Sequence, residues 1–192
     1  MDIIKDSLDL IGNTPLLLVK NLDTGPCNLY LKLESFNLGG SIKDRPAKNM
    51  IIEAENKGLL KKGGTIVEAT AGNTGIALAI MAVKRGYKVV IIVPDKMTIE
   101  KVYHLKALGA EVIVARSDVV NGHPEYYLEI AKRIAKERKA FYINQFLNQA
   151  NIKSHIKDLG PEIYNQLDGK IHAFVAGVGT GCTISGIGKF LN

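Results

Sequence analysis

Short β-branched runs alternate with amphipathic segments along most of this 192-residue chain. The runs at Leu29 to Leu33, Thr65 to Val67, Lys88 to Val93, Glu111 to Ala115, Ala140 to Tyr142 and Ala173 to Ala176 read as strands. Between and after them, Asp44 to Lys57, Gly75 to Arg85, Thr98 to Leu108, Pro124 to Arg138, Ser154 to Gln166 and Thr183 to Leu191 read as helices. Thr98 is the expected N-cap of its helix, and Pro124 the expected opening of another. Such alternation calls for parallel sheets with helices on their faces, an α/β fold. It also gathers the strand-to-helix loops along one sheet edge, where ligands bind in folds of this class. Asn144 to Lys153 is polar and irregular, which makes it the candidate crossing between domains.

The bulk composition narrows the function classes. The net charge of +6 is spread along helix faces, with acids between the lysines, and no nucleic-acid signature accompanies it. No apolar run approaches the length of a membrane span, and no basic-then-apolar leader opens the chain. Two cysteines, Cys27 and Cys182, fit neither a metal spacing nor a disulfide framework, so a reduced, cytoplasmic protein without a metal site is expected. The four histidines are scattered and read as structural or surface residues.

Three loops carry chemistry. Gly177-Val178-Gly179-Thr180-Gly181-Cys182-Thr183 joins the last predicted strand to the last helix. Its glycines allow close backbone approach, its threonines supply hydroxyls, and the helix amides that follow face the loop. That combination suits a phosphate, and it equally suits a tight strand-to-helix turn. It lacks the lysine of a nucleotide P-loop and the spacing of a dinucleotide fingerprint. Ser41-Ile42-Lys43-Asp44-Arg45-Pro46 places Lys43 at the mouth of a helix that Asp44 can cap. The positive dipole end there favours the neutral amine that forms Schiff bases. Thr70-Ala71-Gly72-Asn73-Thr74 leaves a strand and enters a helix, so its amides and hydroxyls suit a carboxylate, or simply an N-capping turn.

Taken together with Ile11-Gly12-Asn13-Thr14-Pro15-Leu16, Lys32-Leu33-Glu34, Leu105-Lys106-Ala107-Leu108-Gly109-Ala110-Glu111, Asn144-Gln145-Phe146 and Gly160-Pro161-Glu162-Ile163, these loops carry a resemblance that runs to Leu191. The chain resembles the fold-type II pyridoxal-phosphate-dependent enzymes, in the cysteine synthase and cystathionine β-synthase group. The resemblance implies two parallel-sheet three-layer α/β/α domains. One comprises 1–12 and 36–148, and the second, 13–35 and 149–192, is truncated. It implies that Lys43 holds the cofactor as a Schiff base and shuttles the substrate α-proton. Asn73 would bond the cofactor's ring hydroxyl, and Gly179, Thr180, Gly181, Cys182 and Thr183 its phosphate. Thr70, Ala71, Gly72, Asn73 and Thr74 would hold the substrate carboxylate, with Gln145 closing the other side.

Departures from the family pattern qualify the reading. Ala71 stands where the family carries serine, removing a hydroxyl contact, and Cys182 replaces a glycine. The family's chains continue well past the phosphate loop, so this chain corresponds to an N-terminal portion. The stretch 117–127 leans toward the cystathionine β-synthase branch. The implied reaction is β-replacement on serine or an O-activated serine, with cysteine synthesis from O-acetylserine and sulfide as the leading expectation. Cystathionine formation from serine and homocysteine, a serine/threonine dehydratase, and an inactive remnant or binding module stay open. The partners implied are a small amino-acid substrate and, at full length, a second copy in a homodimer.

Overall fold

A computed structural model describes residues 3–70 and 72–192. In chain order the elements are β1 (Leu16–Val19), β2 (Leu29–Lys32), α1 (Asp44–Asn56), β3 (Thr65–Ala69), α2 (Asn73–Arg85), β4 (Lys88–Pro94), α3 (Ile99–Ala107), β5 (Glu111–Ala115), α4 (Tyr127–Glu137), β6 (Phe141–Tyr142), α5 (Gln149–Ser154), a π-helical segment (His155–Leu159), α6 (Gly160–Gln166) and α7 (Cys182–Leu191). Two compact units emerge, Met1–Pro46 with Ile152–Asn192, and Ala47–Asn151.

The Ala47–Asn151 unit is built on a parallel sheet of order β5-β4-β3-β6. Its central strands are β-branched and buried on both sides, as a sheet covered by helices requires. Val67, Ala69, Val90 and Ile92 point to one face and pack against Ile130, Ala131, Ile134 and Ala135 of α4. The alternate residue Ile91 points to the other face, toward α2. Strands β3, β4 and β5 succeed one another in one direction, whereas β6 returns to the far side of β3. The order therefore reverses between β3 and β6, and the loops leaving their carboxyl ends are where ligands bind in open α/β sheets.

Helix α2 lies close over this sheet because Gly75 has no side chain. A Cβ there would stand 3.1 Å from Thr70 Cγ2 and 3.3 Å from both Ile91 Cγ2 and Leu105 Cδ2. Overpacking of this kind costs about 1–3 kcal/mol. The better helix propensity of alanine returns up to about 1 kcal/mol. Gly75→Ala is therefore expected to lower stability by about 1 kcal/mol, read as a drop of a few degrees in a thermal melt.

The other unit contains the antiparallel pair β1–β2, with Leu16 opposite Lys32, and the helical run through the π segment, α6 and α7. Leu159, Ile163 and Ile187 form its small core, joined by Ile42, Leu167, Ile171 and Phe174. Around Arg45 the unit is polar: the buried guanidinium meets Glu34, Glu162 and Asp158.

Several expected boundaries move. Residues 173–176 form no strand, since they find no ladder partner among the described residues, and a strand exists only as part of a ladder. Helix α4 begins at Tyr127 rather than Pro124. The intervening residues form a turn in which Glu125 N donates to His123 Nδ1 at 3.1 Å and Tyr126 N to the His123 carbonyl at 2.9 Å. Thr98 occupies the N-cap of α3 without a side-chain cap bond. The polar stretch from Asn144 becomes helical at Gln149.

Candidate active site

The expected carboxylate loop and Gln145 come together at the switch point of the parallel sheet. Thr70 follows β3, and Gln145 follows β6. Thr70 Oγ1 accepts from Gly72 N at 3.2 Å, which bends the loop back on itself. The helix starts at Asn73, two residues earlier than expected, with Gly72 at the N-cap and no side-chain cap bond. The α2 N-terminus has no capping side chain, and of its first-turn amides Gly75 N donates to the Gly72 carbonyl at 3.0 Å; such a helix start suits an anion. Asn73 is exposed at this end, and Thr74 is buried. Thr74 Oγ1 donates to Gln145 Oε1 at 2.8 Å, so its proton is already used in this arrangement. Ala71, expected to join the loop, lies outside the described residues.

Beneath this loop sits a residue that the sequence reading passed over. Glu68 is fully buried on β3. Its Oε1 accepts from Ala69 N at 2.9 Å and its Oε2 from Gln145 N at 3.2 Å. The Gln145 carbonyl in turn accepts from Asn151 Nδ2 at 2.8 Å. Glu68 therefore fixes the backbone that presents Gln145. Burial pushes its carboxyl up to about 8, against the pull of the backbone amides of Gln145, Ala69 and Asn144. A single acid inside the apolar run Thr65–Ala69 is the signal that could have found it.

The raised value sets a pH dependence. Between the ordinary carboxyl range and about 8, folded Glu68 holds a proton that the unfolded chain has lost. Stability falls as pH rises through that window, by about 1.4 kcal/mol per pH unit for a single group. Glu68→Gln removes this slope. It also replaces one acceptor oxygen by a donor, lowering stability near pH 5 by about 1–3 kcal/mol. Urea titrations at pH 5, 6.5 and 8 should show a steeper loss for the wild type than for the variant.

In the other unit the glycine loop enters α7 through Gly181, which has φ +79 and N-caps the helix without a side-chain bond. That left-handed backbone is open to glycine and strained for most other residues. At Gly177 and Gly179 nothing lies within 4 Å of where a Cβ would stand, so the loop's backbone is uncovered. Cys182 N lies 3.5 Å from Thr180 Oγ1, and Thr183 Oγ1 lies 3.4 Å from His155 Nε2. Two hydroxyls, glycine amides and a helix N-terminus fit the phosphate of pyridoxal phosphate.

Lys43 belongs to the same unit, in the turn before α1. Burial lowers its proton affinity, and Cys182 of the glycine loop lies within electrostatic reach and opposes this. Desolvation is thus the leading cause of the shift toward neutral amine. Asp44 does not cap its own helix as expected. Its Oδ2 instead accepts from Gly39 N at 2.5 Å, and burial pushes its carboxyl up to about 6. Ser41 Oγ accepts from Lys43 N at 3.2 Å and holds the turn. His155, read from sequence as structural or surface, is fully buried beside Thr183. Among the described residues, no group of His, Cys, Asp and Glu is arranged to hold a metal ion, and no helix is long and apolar enough to cross a membrane.

The family described as "Pyridoxal-phosphate dependent enzyme" matches residues 8–192. A cystathionine beta-synthase of Apis mellifera is 45% identical over 98% of this chain and 38% of its own length. A cysteine synthase of Dictyostelium discoideum is 44% identical over 96% of this chain and 49% of its own. The crystal structure of a hydrogen sulfide-producing enzyme from Fusobacterium nucleatum superposes with a TM-score of 0.91 at 42% identity, covering all of this chain and 62% of that one. The chain thus spans about two fifths to three fifths of the length of these three proteins.

Proposed function

Since the chain belongs to the family of pyridoxal-phosphate dependent enzymes, we propose that it carries the cofactor-binding part of an enzyme for β-replacement on serine or an O-activated serine. Cysteine synthesis from O-acetylserine and sulfide is the leading reaction. The observation that carries the reading is Lys43, a half-buried amine with lowered proton affinity in electrostatic reach of the glycine loop. Relatives named cysteine synthase and cystathionine beta-synthase support the reaction class.

Each residue then has a task. Gly179, Thr180, Gly181, Cys182 and Thr183 hold the phosphate through backbone amides and the two hydroxyls. Lys43 Nζ would hold the cofactor through its aldehyde and would accept the substrate's α-proton. Burial favours the neutral form of Nζ that both tasks require. Asn73 donates to the ring hydroxyl. Thr70, Ala71, Gly72, Asn73 and Thr74 bind the substrate carboxylate, chiefly through the uncapped amides of α2, because the Thr74 hydroxyl donates to Gln145. Pyridoxal phosphate, when bound, supplies the electron sink for the negative charge left on the α-carbon.

The division into 1–12 with 36–148 and 13–35 with 149–192 is part of this proposal, as are a cytoplasmic location and a homodimer of the intact enzyme. Product analysis tests the reaction. Purified protein is supplied with pyridoxal phosphate and either O-acetylserine plus sulfide or serine plus homocysteine. Cysteine from the first pair supports the leading reading. Cystathionine from the second moves the assignment to that branch, and pyruvate from serine alone moves it to a dehydratase. Absence of cofactor binding overturns the enzymatic reading in favour of a remnant or binding module.

A further inference from the structure

The imidazole of His155 is completely buried, yet it lies outside every role assigned above. It opens the π-helical segment His155–Leu159, and π-helical turns inside α-helices are frequent at functional sites. Helix α7 rests directly on it. A Cβ at Gly186 would stand 2.7 Å from His155 Cβ and 2.9 Å from the Ile152 carbonyl oxygen, so the glycine is what admits this approach. The ring's Nε2 lies 3.4 Å from Thr183 Oγ1, while Nδ1 has no hydrogen-bond partner among the described residues.

These contacts select a tautomer. Burial, aided by the cations Lys43 and Arg45 and opposed by Glu34, holds the imidazole down to about 4, so it is neutral and carries one N–H. Nδ1 is unpaired in either tautomer, and an orphaned buried N–H is rarer in folded proteins than an orphaned acceptor, which disfavours the proton there. A proton on Nε2 instead gives the donor an acceptor in Thr183 Oγ1. The hydroxyl of Thr183 then accepts from the ring, and its own single proton is left to donate elsewhere.

We propose that His155 is a positioning residue for the phosphate of pyridoxal phosphate: Nε2–H donates to Thr183 Oγ1 and thereby orients the threonine O–H toward the anion. This rests on the reading of 179–183 as the phosphate loop. The role differs from simple core filling because it acts through one hydroxyl and on one part of the cofactor.

The test is a double-mutant cycle read by cofactor affinity. Pyridoxal phosphate and pyridoxal, which lacks the phosphate, are each titrated into apo protein and followed by absorbance. His155→Leu and Thr183→Val are each expected to weaken pyridoxal phosphate binding about tenfold, the worth of one hydrogen bond. The double variant should lose no more than the larger single loss. His155→Gln, which keeps an amide N–H near the Nε2 position, should retain most of the affinity. Pyridoxal binding should be unchanged throughout. Losses that add in the double variant, or that fall equally on pyridoxal, assign His155 a packing role and overturn the proposal. Weakening by Thr183→Val without any by His155→Leu overturns the role of His155 alone. No effect of Thr183→Val removes the phosphate-loop reading with it. Nitrogen-15 NMR of the wild-type protein supplies a check that needs no variant: Nε2 should carry the proton, and a protonated Nδ1 overturns the proposal.

Discussion

Arg45→Ala should destabilise the protein by about 3–5 kcal/mol, the usual consequence of removing one partner from a buried ionic cluster. The Arg45 side chain is wholly buried. Its Nε and Nη2 donate to the two Glu34 oxygens at 2.7 and 2.8 Å, a bidentate pair. Nη1 and Nη2 donate to the two Glu162 oxygens at 2.8 and 2.9 Å, and Nη1 also meets Asp158 at 3.0 Å. Lys32 binds Glu162 as well, and Glu162 accepts from Asn13 N and Thr14 N, both at 2.9 Å. Removing the guanidinium leaves carboxylates buried with too few donors. Arg45→Lys keeps the charge but loses the planar fork, so its cost should fall between the two extremes.

The same cluster fixes the sign of a pH effect. Burial alone would raise the Glu162 carboxyl, but hydrogen bonds from Arg45 and Lys32 hold it down to about 2. A depressed carboxyl contributes stability that is present above its unfolded value and lost as pH falls toward the folded one. Wild-type stability should therefore drop between about pH 4.5 and 2, and Arg45→Ala should flatten that limb. Denaturant titrations across this range measure both effects. A loss under 1 kcal/mol for Arg45→Ala at neutral pH would contradict the argument.

What was legible in the sequence was local. The β-branched runs and the Gly-broken loops marked the parallel sheet and the two loops that enter α2 and α7, because period and turn chemistry are written in adjacent residues. The start of α2 at Asn73 was missed because Gly75 reads as a helix opener, whereas its place is set by Ile91 and Leu105 pressing on it. The Arg45 cluster joins residues separated by up to 149 positions, which no local pattern encodes. His155 looked scattered when counted among histidines. Placed with Asn151, Leu159 and Ile163, at spacings of four, it marks a buried helical stripe.

Lys43→Ala should abolish covalent attachment of pyridoxal phosphate and slow β-replacement at least a thousandfold, since it removes both the attaching amine and the acceptor of the α-proton. Borohydride reduction of the wild-type protein with cofactor should place a stable pyridoxyl adduct on Lys43, read by peptide mass spectrometry. The variant should show none, and an adduct that persists at another lysine would sink the assignment. Lys43→Arg separates charge from chemistry. Arginine keeps a cation at this position but stays protonated, so it can neither attach the aldehyde nor accept a proton at neutral pH. If the site needed only positive charge, Lys43→Arg would retain activity. The lowered proton affinity of Lys43 argues the opposite. A site built to hold a cation would pair the ammonium with a carboxylate and raise its affinity for the proton. Here burial leads and strips the proton more readily, which is what a nucleophile needs and what a counter-ion does not.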